Sequence, residues 1–580
     1  MENNLKPILE YFYKWEKEQP DKVFLRQPYG DNWKTLTYKE AGIEARKMTA
    51  FLKEKGLQKG DHIGLLSKNC THWILSDLAI MMGGFVSVPY YASLTKSQLN
   101  EVILKSDIKL LFVGKLDSWG VKSEAVPSDV HILRFPHYEG NAEVTQGEDW
   151  NDCIQDCEPV QENYIPDLDD LWSILFTSGT TGSPKGVMLN YRNLSMIGEI
   201  ESQTNHLGLL NKNDQTYFSF LPLNHIAERV AVESTCLMNG GTFSFAESLE
   251  SFAKNLQDTQ PTFLFAVPRI WTKFHLGVLN KIPQKKIDFL LKIPVVSGII
   301  KKKIRTALGL KNLRTAMTGA AITPENLKRW YKKLDIHLIE VYGMTETTAM
   351  ITNAPQKDAP LDSVGKAGPY CKIKIDPDSG ELLLYTPHNM VGYYKDPEAT
   401  AEILKDGWVY SGDRGSLDEN GYLKIIGRVK DAFKTAKGSY VTPNPIEDNF
   451  MSNDFIEQIC VVGNGNPQPL ALINLSEIGL ESEKSVVADS LLKTVKNINN
   501  ELAPFERIST VVVTDMWTID NELITPTMKV RRGKIDDHYG EKYLHWHEQN
   551  EDIIWGHRYV YYHDIEWIII VENSTGKSTH

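Results

Sequence analysis

The sequence predicts an α/β fold assembled from more than one domain. Three observations carry that prediction. At 580 residues the chain exceeds what a single hydrophobic core commonly organises. Its first half alternates helical patterns, such as residues 38–55, with short apolar runs, such as 62–66 and 110–113, which is the grammar of strands and helices stacked in layers. After residue 427 the pattern becomes a compact α+β one, with strand-like runs at 459–462 and 470–475 and a helical stretch at 485–501. The chain therefore divides into a large layered α/β part, residues 1–427, a smaller α+β part, 428–545, and an extension, 546–580, rich in aromatic residues and histidine.

The elements follow in chain order. The most apolar stretch, 73–91, is broken by Asp77, Gly83, Gly84 and Pro89, so it reads as a buried helix followed by a strand and is too interrupted to span a membrane. The apolar run 171–176 reads as a strand that leads straight into a loop of Gly, Ser and Thr. A formal charge of −12 argues against a general nucleic-acid binder, and no basic region is long enough to reverse it. Of the six cysteines only Cys153 and Cys157 lie close together, without the second ligand pair of a zinc site. With no signal-peptide pattern at residues 1–4, reduced thiols and a cytoplasmic setting are expected.

The loop after 176 holds the chemistry. It reads Thr177, Ser178, Gly179, Thr180, Thr181, Gly182, Ser183, Pro184, Lys185. Glycine lets backbone N–H groups approach a ligand, the hydroxyls add donors, and Lys185 adds a mobile point charge, a combination that suits a polyphosphate. It is not a Walker A loop, because Pro184 precedes the lysine and no Ser or Thr follows it. The tail's 574–578, Ser-Thr-Gly-Lys-Ser, is nearer in wording, but Val571 stands where the first glycine belongs. Taken alone, 177–186 also fits an ordinary polar loop.

Five further segments follow in order: 318–321 (Thr-Gly-Ala-Ala), 340–347 (Glu-Val-Tyr-Gly-Met-Thr-Glu-Thr), 410–413 (Tyr-Ser-Gly-Asp), 427–431 (Gly-Arg-Val-Lys-Asp) and 525–529 (Thr-Pro-Thr-Met-Lys). With the 177–186 loop they resemble the motif set of the adenylate-forming family, which includes acyl-CoA synthetases, luciferases and peptide-synthetase adenylation domains. The resemblance covers residues 20 to 540. It implies an adenylating domain of layered α/β subdomains followed by a mobile α+β lid.

The resemblance also implies roles. Thr177, Ser178, Gly179, Thr180, Thr181, Gly182 and Lys185 would hold the β- and γ-phosphates of ATP, and Glu346, with Thr345 beside it and Thr181, would contact Mg²⁺. Gly319, Ala320 and Ala321 would approach the adenine edge, and Gly343 and Met344 belong to the same nucleotide motif. Tyr342 would offer adenine a flat face, or be simple core. Asp413 can accept from both ribose hydroxyls, and Arg428 can donate to the same sugar. Lys529 would bridge the attacking carboxylate and the α-phosphate, with Lys534 as its rival. A lysine on a lid must enter for adenylation and leave for thiol attack, so Lys430 and Asp431 would form a hinge. Lys430→Pro should then slow thiol transfer more than adenylation; an equal loss in both would remove the hinge assignment.

Residues 221–230 (Leu-Pro-Leu-Asn-His-Ile-Ala-Glu-Arg-Val) and 267–271 (Val-Pro-Arg-Ile-Trp) resemble the long-chain fatty acyl-CoA synthetase branch. His225 would sit at the mouth of the acyl pocket, or be structural. The resemblance thus implies a ligase that consumes a medium- or long-chain fatty acid, ATP and CoA. A ligase loading a carrier protein, and a non-catalytic binder of acyl-AMP or lipid, are the alternatives. Residues 436–440, Ala-Lys-Gly-Ser-Tyr, depart from relatives that carry a Gly-Gly pair, so the resemblance assigns no thiol-tunnel residues there.

Two segments lie outside that frame. Residues 281–314 gather ten basic residues and one acid, Asp288, among apolar runs. Such a region suits contact with an anionic membrane at the inner face, or a solvated basic helix pair. The extension holds His545, His547, His557, His563 and His580 at spacings that fit no standard metal site, and 559–571 reads as a strand. A packing extension or an oligomer contact, such as a homodimer, is the expectation.

Overall fold

Local chemistry starts the elements. Glu40 N–H donates to Thr37 Oγ1 at 3.2 Å while Thr37 N–H donates to Glu40 Oε2 at 2.8 Å, a reciprocal cap that opens the helix Tyr38–Glu54. The 73–91 stretch becomes a helix, Thr71–Gly83, and a strand, Val86–Tyr90, separated by Gly84 at φ +73°. Only a residue without Cβ adopts that left-handed cap at no cost. The computed structural model describes residues 5–177, 183–210, 214–355, 358–525 and 528–556. It separates into two compact units, Met1–Val429 and Lys430–His580.

Among the described residues the first unit contains three sheets. The largest has nine strands in the spatial order Lys366–Ala367, Thr352–Asn353, Leu338–Tyr342, Thr315–Thr318, Phe263–Ala266, Thr216–Ser219, Thr242–Phe245, Val23–Tyr29, Asn32–Thr37. From Leu338–Tyr342 to Val23–Tyr29 all neighbours are parallel. Inner strands such as Phe263–Ala266 are buried along their whole length, as a sheet covered on both faces requires. The eight-stranded sheet runs Gly392–Tyr393, Lys185–Asn190, Leu171–Thr177, Val86–Tyr90, His62–Leu66, Ile108–Val113, His131–Arg134, Glu148–Asp149. A five-stranded antiparallel sheet is formed by Lys372–Ile375, Glu381–Tyr385, Trp408–Leu417, Leu404–Lys405 and Leu423–Arg428. The predicted α/β class is the fold observed.

In the second unit, Ile456–Val462, Leu470–Leu475, Thr510–Val513 and Ile553–Trp555 make a four-stranded sheet with the helix Lys484–Glu501 packed on it. Part of the 546–580 segment lies inside this unit. Ile553–Trp555 pairs in parallel with Thr510–Val513, and Trp546 packs against Tyr539 and Tyr543. The histidines at 557, 563 and 580, the 559–571 strand and the 574–578 run lie outside the described residues. Among the described residues no helix is long and apolar enough to cross a membrane.

The helix Thr71–Gly83 is buried on nearly every side and carries Asp77 into the core. A buried carboxylate demands a partner. Arg229 supplies it, with Nη1 at 3.0 Å from Asp77 Oδ1 and Nη2 at 3.1 Å from both oxygens. The guanidinium carbon lies 4.2 Å from the centre of the Trp172 ring and 5.1 Å from that of Trp73. Arg229 opens a π-helical turn, Arg229–Ser234, a geometry that concentrates at functional sites.

Beside it, burial pushes the Glu228 carboxyl up to about 8, against a hydrogen bond from Ser219 Oγ at 2.7 Å. The neutral acid is therefore the folded form near pH 7. A raised folded pKa means stability that is complete below the unfolded value and lost as pH rises through about 8. Glu228→Gln keeps the shape and the accepting oxygen, so it should melt like wild type near pH 4 and increasingly above it between about pH 5 and 9. Parallel melting curves across that range would contradict the neutral assignment.

Candidate active site

The parallel strands of the nine-stranded sheet deliver four motifs to one edge. Leu338–Tyr342 leads into 343–347, Thr315–Thr318 into 319–321, Phe263–Ala266 into 267–271 and Thr216–Ser219 into 221–230, and these strands are consecutive neighbours. Ligand sites of open α/β sheets lie at the carboxyl ends of strands.

Close packing shapes two of these loops. A Cβ on Gly319 would stand 2.8 Å from Val341 O, and one on Gly343 would stand 2.2 Å from Ala349 O, so both positions require glycine. Ala320 follows at φ +64°, exposed together with Ala321. Beyond Gly343, Met344 O accepts from Thr347 N–H at 3.1 Å and from Ala349 N–H at 3.0 Å, closing a 3₁₀ turn, Thr345–Thr347. That turn holds Glu346 in the interior.

Glu346 is where the two large sheets of the first unit communicate. Its Oε1 accepts from the Tyr393 hydroxyl at 2.7 Å, and its backbone oxygen accepts from Met390 N–H at 2.8 Å. Tyr393 lies in the edge strand opposite Val187, and Lys185 Nζ stands 5.0 Å from the centre of its ring. Burial raises the Glu346 carboxyl above the usual range, opposed by the Tyr393 hydrogen bond and the charges of Arg428 and Lys185. Glu346 and Lys185, predicted to serve magnesium and phosphate, are thus joined through one phenol. Tyr393 was not legible as a site residue, since its signal is only a Gly-Tyr-Tyr step at 392–394.

Lys185 begins the strand Lys185–Asn190, which returns antiparallel to Leu171–Thr177 with Thr177 opposite Lys185. The segment predicted to hold phosphate therefore lies between two antiparallel strands, whereas a Walker A loop opens a helix. Thr177 Oγ1 donates to Lys185 O at 3.4 Å, and Ser183 Oγ is bonded to Glu101 and Lys105. Ser178, Gly179, Thr180, Thr181 and Gly182 lie outside the described residues.

A second cluster joins Tyr342, Asp413 and Arg428. Asp413 and Arg428 face each other across neighbouring antiparallel strands, with Arg428 Nε at 2.9 Å from Asp413 Oδ1. The Tyr342 hydroxyl donates to Asp413 Oδ2 at 2.6 Å, and burial, then the Asp413 charge, raises that phenol well above its ordinary value. One donor on each oxygen leaves an accepting site on each, because a carboxylate takes about four hydrogen bonds. Two vicinal hydroxyls fit that remainder.

His225 plays a local part: its Nδ1 accepts from Ala227 N–H at 3.2 Å and caps the short helix Ile226–Glu228. Asn69, unremarked in the sequence, fixes the segment before it. Its amide donates to Ser219 Oγ at 2.7 Å and Leu221 O at 2.6 Å, and its oxygen accepts from Leu223 N–H at 3.1 Å. Trp271 in turn ties two strand ends, donating towards Ala266 O at 3.1 Å and Met317 O at 3.3 Å.

In the second unit, Lys430 and Asp431 lie in a 3₁₀ turn, Val429–Asp431, at the start of the unit. Asp431 faces Arg532 at 3.7 Å, which also binds Glu447 at 2.6 Å. Lys529 sits in a tight reversal closed by the Ile524–Val530 bridge, where Thr525 N–H donates to Lys529 O at 2.8 Å and Met528 takes φ +62°. Pro526 and Thr527 lie outside the described residues. Lys534, on the helix Arg532–Tyr539 that follows, is 3.2 Å from Glu522.

Among the described residues no group of three His, Cys, Asp or Glu side chains could hold a metal by itself. A buried carboxylate that shares its ion with substrate phosphates, as Glu346 would, is a donor set that fits Mg²⁺.

A model of the AMP-binding enzyme family matches residues 12–394, and one of the AMP-binding enzyme C-terminal domain matches residues 430–543. The long-chain-fatty-acid–CoA ligase FadD15 of Mycobacterium bovis is 28% identical, over 90% of this chain and 93% of that protein. The human long-chain-fatty-acid–CoA ligase 1 is also 28% identical, over 88% and 82%. In structure, the adenylation domain of a carboxylic acid reductase from Segniliparus rugosus, in complex with AMP and a carboxylic acid, superposes with a TM-score of 0.77 at 22% identity over 94% of this chain and 95% of that one. The O-succinylbenzoate CoA synthetase of Bacillus subtilis, in complex with ATP and magnesium, gives 0.70 at 20% identity over 91% and 99%.

Proposed function

Since the chain belongs to the AMP-binding enzyme family, we propose that it is an ATP-dependent ligase that makes acyl-CoA from a medium- or long-chain fatty acid through acyl-AMP. The observation that carries the reading is the pair of clusters built around the end of Leu338–Tyr342 and the turn that follows it, Lys185–Tyr393–Glu346 and Tyr342–Asp413–Arg428. The fatty-acid part rests on relatives named long-chain-fatty-acid–CoA ligases along most of the chain. Nothing among them favours a carrier protein as acceptor.

The chemistry follows from charge. A carboxylate oxygen attacks the α-phosphorus, the bond to the β-phosphate oxygen breaks, and pyrophosphate leaves with its electrons. A thiolate of CoA then attacks the acyl carbon and AMP departs. Anions meet in the first step, so repulsion is the barrier to be lowered. Lys185 takes the outer phosphates, Asp413 and Arg428 fix the ribose, and Lys529, carried by the second unit, neutralises the attacking and α-phosphate oxygens. Mg²⁺, when bound through Glu346, supplies further neutralisation of the phosphates. The proposal includes peripheral contact with an anionic membrane through 281–314.

Fatty-acid-dependent exchange of labelled pyrophosphate into ATP tests the reading, and exchange that ignores the acid would sink it. Tyr393 positions the Glu346 carboxylate, and losing a hydrogen bond to a charged group costs about 1.5–3 kcal/mol. Tyr393→Phe, which keeps the ring under Lys185, should therefore raise the Mg²⁺ concentration for half-maximal exchange by ~10-fold or more and leave chain-length preference alone. Unaltered magnesium dependence would free Tyr393 from that role.

A further inference from the structure

We infer that the helix pair Gln284–Leu291 and Pro294–Ala307 is a docking surface for an anionic lipid bilayer, with the side chains at its tip entering the acyl region. The inference rests on the fatty-acid reading for its purpose, because that substrate partitions into bilayers, but its evidence is independent of the active site.

Each helix buries only a narrow stripe. Ile287 and Ile304 are buried and Leu291 and Ile300 half-buried, against a cluster that contains Leu264, Trp271 and Trp330. The bulky residues at the tip point away: Phe289 is 65% exposed, Ile293 36%, Val295 79% and Ile299 52%. Four large apolar side chains within eleven residues make a patch, whereas single exposed ones need no explanation.

Charge surrounds that patch. Lys281, Lys285, Lys286, Lys292, Lys302 and Lys303 are all exposed. The one acid, Asp288, is neutralised by Lys333 at 2.7 Å, and Lys301 is taken up by Asp335 at 2.9 Å. A chain of net charge −12 thus carries on this helix pair an exposed surface that is both basic and apolar. Protein interfaces are depleted in lysine and enriched in Tyr, Trp and Arg. Phe, Ile and Val flanked by flexible lysines are instead the composition of interfacial helices, where the apolar tip enters the headgroup boundary and the ammonium groups meet anionic lipid.

The packing also links this helix pair to residues 221–230. Phe274, on the helix Pro268–Leu279, stacks towards Phe252 with ring centres 6.1 Å apart, and Phe252 meets Phe220 at 5.0 Å, directly before Leu221. The docking helices therefore share a core with the strand that delivers residues 221–230 to the sheet edge.

The test is co-sedimentation of the full chain with vesicles of phosphatidylcholine alone and of phosphatidylcholine with phosphatidylglycerol. Wild type should pellet with the anionic vesicles, weakly with the neutral ones, and be released by high salt. A Phe289→Ser, Val295→Ser, Ile299→Ser variant and a Lys292→Gln, Lys302→Gln, Lys303→Gln variant should each bind ~10-fold or more weakly with unchanged melting temperatures. Equal binding by wild type and both variants, equal binding to both vesicle types, or no binding at all overturns the inference. So does a dimer in vesicle-free buffer, seen by analytical ultracentrifugation, that either variant dissociates, because a second copy would then cover the face. Exchange with octanoate, laurate and albumin-bound palmitate keeps the two readings apart: its absence with all three alongside intact vesicle binding removes the fatty-acid function and leaves the surface standing.

Discussion

The Lys529→Ala enzyme is expected to lose about 10²–10³-fold in fatty-acid-dependent pyrophosphate exchange, the usual effect of removing one preorganised group from a developing charge. The second half-reaction should survive, so chemically prepared acyl-AMP should still be converted to acyl-CoA at close to the wild-type rate. The loop explains why this lysine is offered so specifically: Met528 holds φ +62° and Ile524 pairs with Val530, which places Lys529 at a tight reversal. Such backbone strain collects at functional sites. Lys534→Ala, which removes a cation already facing Glu522, should cost little. If Lys534→Ala abolished exchange and Lys529→Ala did not, the two assignments would change places.

Stability should respond most to Asp77. Asp77→Ala leaves Arg229 charged and wholly buried, and breaking one side of a buried pair costs about 3–5 kcal/mol. Glu233 cannot take over, since its nearest oxygen stands 3.8 Å from Arg229 and burial raises its carboxyl well above the usual range. The urea midpoint of the first unit should fall accordingly, and Asp77→Leu with Arg229→Met should recover part of the loss. A single variant within about 1 kcal/mol of wild type would mean that water already reaches the guanidinium.

The fold was legible because periodicity records burial. The run at 73–91 announced its helix and strand through Gly83, Gly84 and Pro89, and 171–176 announced a strand that ends where a polar loop begins. The site was legible only as far as its motifs are contiguous. Lys185, Glu346, Asp413 and Arg428 each sit in a recognisable segment, and the first unit brings them into two clusters.

What escaped are residues whose meaning depends on distant partners. Tyr393 matters because its strand pairs with the one that starts at Lys185, a register no local pattern encodes. Asn69 matters because three of its bonds reach residues 219–223 across the fold. Asp77 carried a partial signal, an acid inside an apolar run, but nothing local named Arg229 as its partner.

The most direct test of the central claim follows the oxygens of the acid. Fatty acid labelled with heavy oxygen on both carboxyl positions is supplied with ATP and CoA, and the products are weighed by mass spectrometry. Attack on the α-phosphorus predicts one heavy oxygen in AMP and one retained in the acyl-CoA carbonyl. Heavy oxygen in inorganic phosphate, with ADP as the nucleotide product, would contradict it.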